Sequence, residues 1–150
     1  MESGRIDEII DGYEGDPSKL LQILIDIQIE SRWLPPDILS HVSKRLNLPL
    51  TRIYHVATFY KTFHMTPRGR HVFAVCVGTA CHVRGATRIV DKASEIIGIK
   101  PDQTTPDEKF SLDTVNCLGC CALGPVAVLN GETHGKLPVS KVDELLSSCD

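Results

Sequence analysis

The chain has 150 residues, of which 42% are hydrophobic, and a formal net charge of −3. This length suits one ordinary domain or two small ones, and the hydrophobic content excludes a chain that is disordered throughout. The slightly acidic balance, without a block of Lys or Arg, excludes an electrostatic nucleic-acid surface, and no apolar run approaches the roughly 18 residues that cross a bilayer.

Residues 1–66 are predicted to form a small helical bundle. Apolar side chains recur at three- and four-residue steps over about 16–30, 38–46 and 51–63. Asp16 and Pro17 have the types expected at an N-cap and the first helical position, and Thr51 is the expected cap of the third helix. The aromatic residues of that third helix make residues 1–66 a candidate docking domain.

Residues 67–150 are predicted to be a second, α/β domain, reached through a linker at 64–70. Strands are expected at 71–77, 110–116 and 126–129, with a fourth near 134–137, and helices at 86–97 and 140–146. Ser140 with Asp143 resembles a capping box for the last helix. The predicted fold class is therefore α/β, with a helical bundle followed by a central sheet flanked by helices.

Four cysteines form two short clusters, Cys76 and Cys81 in CVGTAC and Cys117 and Cys121 in CLGCC. The spacing is C-x4-C, thirty-five residues, then C-x3-C, with glycines at 78, 85, 119 and 124 that let the backbone approach closely. Residues 1–15 contain no apolar core of a secretory signal, so we expect a cytoplasmic protein whose grouped thiols hold metal. The pairing of thiols favours an iron–sulfur cluster.

Two alternatives to an iron–sulfur site remain open from the spacing alone. Cys117 and Cys120 form a C-x2-C step that is common in zinc sites, although the C-x4-C pair is less typical. CLGC also resembles a thiol redox motif, although such motifs usually follow the first strand. His82 directly follows Cys81, but no second Cys–His pairing suits a Rieske centre.

Arg84 lies three residues after Cys81 and is expected to place a positive charge near the cluster. Neither a G-x-G-x-x-G motif nor a P-loop occurs in the sequence, so this chain is not expected to bind nicotinamide or flavin itself. These features predict an electron carrier without a catalytic site of its own.

The segments VCVGTACHVRGA (75–86) and CLGCCALGP (117–125) resemble the thioredoxin-like [2Fe–2S] ferredoxin component of NADH-quinone oxidoreductase, known as its E-type subunit. Similar subunits occur in NAD-linked and electron-bifurcating hydrogenases and formate dehydrogenases. IQIESRWLP (27–35) and YHVATFYKTF (54–63) resemble the family's N-terminal bundle, so the resemblance covers nearly the whole chain.

The resemblance implies a thioredoxin-like domain with one [2Fe–2S] cluster. It implies that the cluster ligands are four cysteines, namely Cys76, Cys81, Cys117 and Cys121, and that Cys120 is not a ligand. It further implies docking on a flavoprotein subunit that carries FMN, an NAD(H) site and a four-iron cluster, within a complex that has further iron–sulfur subunits. The alternatives are a free-standing thioredoxin-like ferredoxin and a zinc-stabilised interaction module.

Overall fold

The computed structural model of the protein describes residues 3–149. The chain divides between Pro67 and Arg68 into two compact units, each with its own hydrophobic core. The helices are α1 Ser3–Gly12, α2 Leu20–Ser31, α3 Pro36–Leu46, α4 Leu50–Phe59, α5 Thr79–Val83, α6 Ala86–Ile97 and α7 Val142–Ser147. The strands are β1 His71–Cys76, β2 Gln103–Thr104, β3 Phe110–Val115, β4 Ala127–Leu129 and β5 Glu132–His134.

The first unit is a bundle of α1 to α4. The apolar stripes of these helices bury one another, and the fully buried side chains include Ile23, Leu24, Ile27, Leu39, Val42 and Ile53. Asp16 caps the entry into α2 as predicted, because its carboxylate accepts a hydrogen bond from the Ser18 N–H at 2.9 Å. Pro17–Lys19 form a single 3-10 turn before α2 begins.

Three details of this unit differ from the sequence prediction. The sequence predicted four or so helices but gave positions for three; the further helix is α1, which buries Ile6 and Ile10 against the bundle. Helix α4 begins at Leu50 after Pro49, so Thr51 lies inside it and is not its cap. The helix also ends at Phe59, and Phe63, expected within it, is buried beyond its end.

The second unit contains a five-stranded sheet in the order β2-β3-β1-β4-β5. The central strands β1 and β3 are parallel, with Cys76 paired to Val115, while the other neighbours are antiparallel. Residues of β1, β3 and α6 form the core, with Phe73, Leu112 and Ile89 fully buried. The predicted combination of a helical part with an α/β part is confirmed.

The remaining differences lie in short elements of the second unit. Strand β2 was not predicted, and β5 lies at Glu132–His134, earlier than the expected 134–137. A 3-10 turn at Val139–Lys141 precedes α7, so Ser140 does not cap that helix and no side chain does. No helix among the described residues is both long and apolar enough to cross a membrane.

The predicted linker 64–70 is largely built into the two units. The His64 N–H donates to the Gln28 side chain at 2.7 Å, within the helical unit. Arg68 forms a two-point ion pair with Asp113 of β3, and the Gly69 N–H donates to the Ser111 hydroxyl at 2.8 Å. The connection between the units is therefore confined to a few residues before Arg68.

Candidate metal centre

The two cysteine clusters meet because they follow neighbouring parallel strands. Cys76 ends β1 and pairs with Val115 of β3, so the chain that carries Cys117 leaves the sheet at the same edge. After Cys76 the chain turns into the short helix α5, which carries Cys81. After Cys117 it forms a 3-10 turn, Cys121–Leu123, before β4. We call 76–81 the first cysteine loop and 117–124 the second.

The four thiols of these loops form one connected group. The Cys117 and Cys121 sulfurs are 3.9 Å apart. The Cys76 thiol interacts with those of Cys81 and Cys117, which links the two loops. Among the described residues, no group of three or more His, Cys, Asp or Glu side chains is arranged to hold a single metal ion.

Burial and neighbouring thiols shift the pKa values of this group in different directions. Burial by itself raises the pKa of Cys76. The N–H groups of Gly78 and Leu118 and the adjacent thiols lower it by more, so the net pKa is lowered. Burial is also the main cause of the raised pKa of Cys81. The hydrogen bond and negative charge of Cys117 raise the pKa of Cys121. Four thiolates at this site therefore require a compensating positive centre.

Backbone N–H groups point at the sulfurs, as a thiolate-ligated centre requires. Gly78 and Leu118 donate to Cys76, and the Val126 N–H interacts with the Cys81 sulfur. The Gly119 N–H donates to the Cys117 sulfur at 3.3 Å. Such donors stabilise negative charge on sulfur whether it is a free thiolate or a metal ligand.

The two loops approach each other closely at two glycines, Gly78 and Gly124. A Cβ on Gly78 would lie 2.5 Å from the Asn116 carbonyl oxygen, directly before Cys117. A Cβ on Gly124 would lie 3.2 Å from both the Cys81 sulfur and the Cys121 carbonyl oxygen. The close approach predicted for these two glycines is observed. Gly85 and Gly119 have φ of +97° and +79° with open space around them, so they serve the chain reversal instead.

The site extends from the protein interior to its surface. Cys76 and Cys81 are 3% and 2% exposed, whereas Cys117 and Cys121 are exposed. Among residues 68–149, the large apolar side chains that are exposed all lie beside these loops, namely Val83, Leu118 and Leu123. We call these three side chains the apolar rim. A centre bound here would be anchored inside and approachable from outside.

The other sequence candidates lie apart from the four thiols or at their edge. Cys120 is half-buried and packs against the core of its unit, and the Cys149 thiol lies 3.8 Å from the Leu145 carbonyl oxygen. His82 is exposed on α5, and its Nδ1 is 3.2 Å from the Thr87 hydroxyl. Arg84 reaches the second cysteine loop, where its Nη1 donates to the Cys121 carbonyl oxygen at 2.7 Å.

Sequence reasoning missed the backbone contributors to the site. Helix α5 was not predicted, and the N–H groups of Leu118 and Val126 were not anticipated. Main-chain donors have no signature in the residue type that carries them, so only the neighbouring glycines indicated that the backbone takes part.

Known proteins resemble this chain over both of its units. The family model described as thioredoxin-like [2Fe-2S] ferredoxin matches residues 6–150. The chain is 34% identical to the HndA subunit of the NADP-reducing hydrogenase of Solidesulfovibrio fructosivorans over 143 residues, which cover 93% of this chain and 84% of that protein. It is 36% identical to the E-type subunit of NADH-quinone oxidoreductase of Rickettsia bellii (strain RML369-C), covering 93% and 86%.

A solved structure supports the fold. A crystal structure of NAD⁺-reducing [NiFe]-hydrogenase in the air-oxidized state matches with a TM-score of 0.77 at 24% identity, covering 87% of this chain. The chain spans only 22% of that hydrogenase chain. The resemblance predicted from the two cysteine motifs is thereby confirmed at the level of family and fold.

Proposed function

The chain belongs to the thioredoxin-like [2Fe–2S] ferredoxin family, and on that premise we propose that it is the electron-carrying subunit of a multi-subunit NAD(H)-linked oxidoreductase. Its cofactor is one [2Fe–2S] cluster. The ligands proposed are Cys76, Cys81, Cys117 and Cys121. The observation that carries this assignment is the connected group of four thiols at one edge of the sheet.

When bound, a [2Fe–2S] cluster supplies one-electron transfer at a potential set by its surroundings. The chain's own residues hold the four sulfurs in two pairs, one pair on each cysteine loop. The N–H donors of Gly78 and Gly119 stabilise negative charge on Cys76 and Cys117. The buried pair limits access of water on one side, while the exposed pair brings the site close to a partner.

The partner proposed is a flavoprotein that carries FMN, an NAD(H) site and a four-iron cluster, together with further iron–sulfur subunits. NADH delivers two electrons together as a hydride, whereas a binuclear cluster accepts one, so a flavin must stand between them. Two relatives named as subunits of a hydrogenase and of NADH-quinone oxidoreductase support this setting. The proposed location is the cytoplasm, with any membrane association made through the complex.

The proposed role of the helical unit, residues 1–66, is docking. Phe59, at the end of α4, is 72% exposed and stacks edge-to-face on Tyr60 at 5.0 Å. Tyr60 in turn contacts the buried Phe63 at 6.3 Å. Phe59 is thus an exposed aromatic side chain connected through Tyr60 to the buried Phe63, which suits an interface anchor. The apolar rim is the corresponding proposed contact on residues 67–150.

A cysteine series tests the ligand assignment. Serine at 76, 81, 117 or 121 is expected to abolish or alter the visible absorption and lower the iron content of the reconstituted chain, because serine replaces a thiolate ligand. Cys120→Ala and Cys149→Ala are the matched controls and should keep both. Loss of the cluster in Cys120→Ala with retention in Cys121→Ala would reassign the fourth ligand. Stoichiometric zinc without iron would instead support the zinc module.

A binding experiment tests the docking role. Phe59→Ala is expected to weaken association with the flavoprotein at least tenfold, since truncation of an interface hot spot costs about 2 kcal/mol or more. Gln22→Ala, an exposed polar position of the same unit, is the control. A chain that begins at Arg68 should keep its cluster and bind the partner poorly. Equal binding by the truncated and full chains would assign docking to the second unit, and absence of any binding would support a free-standing ferredoxin.

A further inference from the structure

Arg84 connects the two cysteine loops through side-chain hydrogen bonds. It follows α5, three residues after Cys81, and its Nη1 donates to the Cys121 carbonyl oxygen at 2.7 Å. The same nitrogen lies 3.5 Å from the Gly124 carbonyl oxygen. Both acceptors belong to the second cysteine loop, 37 and 40 residues further along the chain.

The contact with the second cysteine loop is the principal contact of the Arg84 guanidinium. Among residues 3–149, no carboxylate forms an ion pair with Arg84, although the side chain is exposed. A point at the Gly124 Cβ position lies within 3.3 Å of Arg84 Nη1, the Cys81 sulfur and the Cys121 carbonyl oxygen. The guanidinium therefore sits beside the Cys81 sulfur and the Cys121 backbone, which belong to one proposed ligand of each loop.

Other links between the two loops do not involve the Cys121 backbone. The pairing of β1 and β3 ends at Cys76 and Val115 and is followed by one bond from the Val77 N–H to the Val115 carbonyl oxygen at 2.8 Å. The Cys76 sulfur then accepts the Leu118 N–H and contacts the Cys117 thiol. The Cys121 carbonyl also accepts the Gly124 N–H at 3.1 Å, but that bond is internal to the second loop. The charge-assisted bond from Arg84 is thus a direct tie from the helix of Cys81 to the backbone of Cys121.

The geometry points to Arg84 as a positioning residue that clamps the two cysteine loops together across the exposed side of the site. By fixing the Cys121 backbone relative to Cys81, it holds the exposed proposed ligand in place and slows release of the cluster. This inference rests on the proposed cluster and its ligands. It differs from a purely electrostatic role, which would need only a positive charge at this position.

Two substitutions separate the clamp from the charge. Arg84→Gln removes both, whereas Arg84→Lys keeps the charge and loses the guanidinium, whose Nη1 donates to the Cys121 carbonyl oxygen. Arg88→Gln is the matched control, since Arg88 is an exposed arginine on α6 one turn further along and makes the same change of charge. All are made in the full 150-residue chain with its cluster reconstituted.

The experiment measures iron release to a chelator under anaerobic conditions and the paramagnetic resonance spectrum of the reduced cluster. Arg84→Gln is expected to release iron about tenfold faster than the wild type, as loss of one charge-assisted hydrogen bond predicts. Arg84→Lys should release it several-fold faster, and Arg88→Gln at the wild-type rate. Arg84→Lys should also change the spectral line shape, which a charge-only role would leave as it is because lysine keeps the positive charge.

Three results would overturn the clamp. The first is iron release from Arg84→Gln at the wild-type rate. The second is iron release from Arg88→Gln that is as fast as from Arg84→Gln. The third is spectra of both Arg84 variants that match the wild type. Wild-type behaviour of Arg84→Lys beside a defective Arg84→Gln would replace the clamp by a charge effect. Failure of the wild-type chain to take up iron would instead contradict the proposed function, so the two failures are distinguishable.

Discussion

Replacing Gly78 with alanine should deform the centre from its inner side. The added Cβ would lie 2.5 Å from the Asn116 carbonyl oxygen and 3.6 Å from the Cys117 Cα. Real Cβ contacts stay above about 3.0 Å, so the two loops must separate by at least about half an ångström. The acceptor is backbone, so no side-chain rotation relieves the contact. The displaced residue is next to a proposed ligand.

The magnitude follows from two opposing effects. Overpacking of this kind costs roughly 1–3 kcal/mol, whereas Gly→Ala stabilises by about 0.4–1 kcal/mol through the unfolded chain. The Gly78 φ of −58° is ordinary for alanine, so no backbone strain is added. The expected net loss is about 1–2 kcal/mol of the free energy of unfolding of the second unit. With a typical urea m-value near 1 kcal/mol/M, the midpoint falls by about 1 M or more.

This loss is measured by urea unfolding of the cluster-loaded chain, with circular dichroism and visible absorption as the detected signals. Visible absorption reports the second unit, and the fluorescence of Trp33, the single tryptophan, reports the helical unit. Gly12→Ala is the control, because nothing lies within 4 Å of its Cβ position and Gly12 ends α1. That variant should be neutral or slightly stabilised. A Gly78→Ala chain with full iron content and an unchanged midpoint would refute the crowding argument.

Three further predictions concern the rest of the chain. Arg68→Ala should destabilise the second unit by roughly 3 kcal/mol in urea unfolding, because it leaves the largely buried Asp113 carboxylate unpaired. The control Arg70→Ala, at an exposed arginine, should cost under about 0.5 kcal/mol. Hydrogen bonds from His41 and then Arg45 lower the pKa of Asp7, so the stability they add is present above the unfolded pKa and lost as the pH falls through the folded one. The gap in urea midpoint between the wild type and Asp7→Asn should accordingly be full at pH 7 and shrink progressively as the pH falls below about 4, and a gap that does not shrink on further acidification would contradict the assignment. The reconstituted chain mixed anaerobically with NADH alone should keep its visible absorption, and rapid bleaching without a flavoprotein would reveal an unrecognised nicotinamide or flavin site.

The strong periodic signals in the sequence predicted most of the architecture. The stripe of α2 around Leu24 and Ile27 and the apolar run of β1 around Phe73 were read correctly, because burial of these side chains is local in its pattern. Errors fell on short elements such as β2 and α5, and on the start of α4 at Leu50. Their boundaries depend on tertiary contacts and on turns whose residue preferences are weak.

The sequence by itself determined which chemistry the protein can support. Thiol groups at C-x4-C and C-x3-C spacing predict a soft metal-binding centre, and their motifs identified the family. Only the tertiary structure decided how that centre is built. The parallel register of β1 and β3 brings the two loops to one edge, and the main-chain donors and the reach of Arg84 across the loops arise from that meeting. Contacts between residues some 40 positions apart depend on strand pairing, which the local pattern of side chains leaves open.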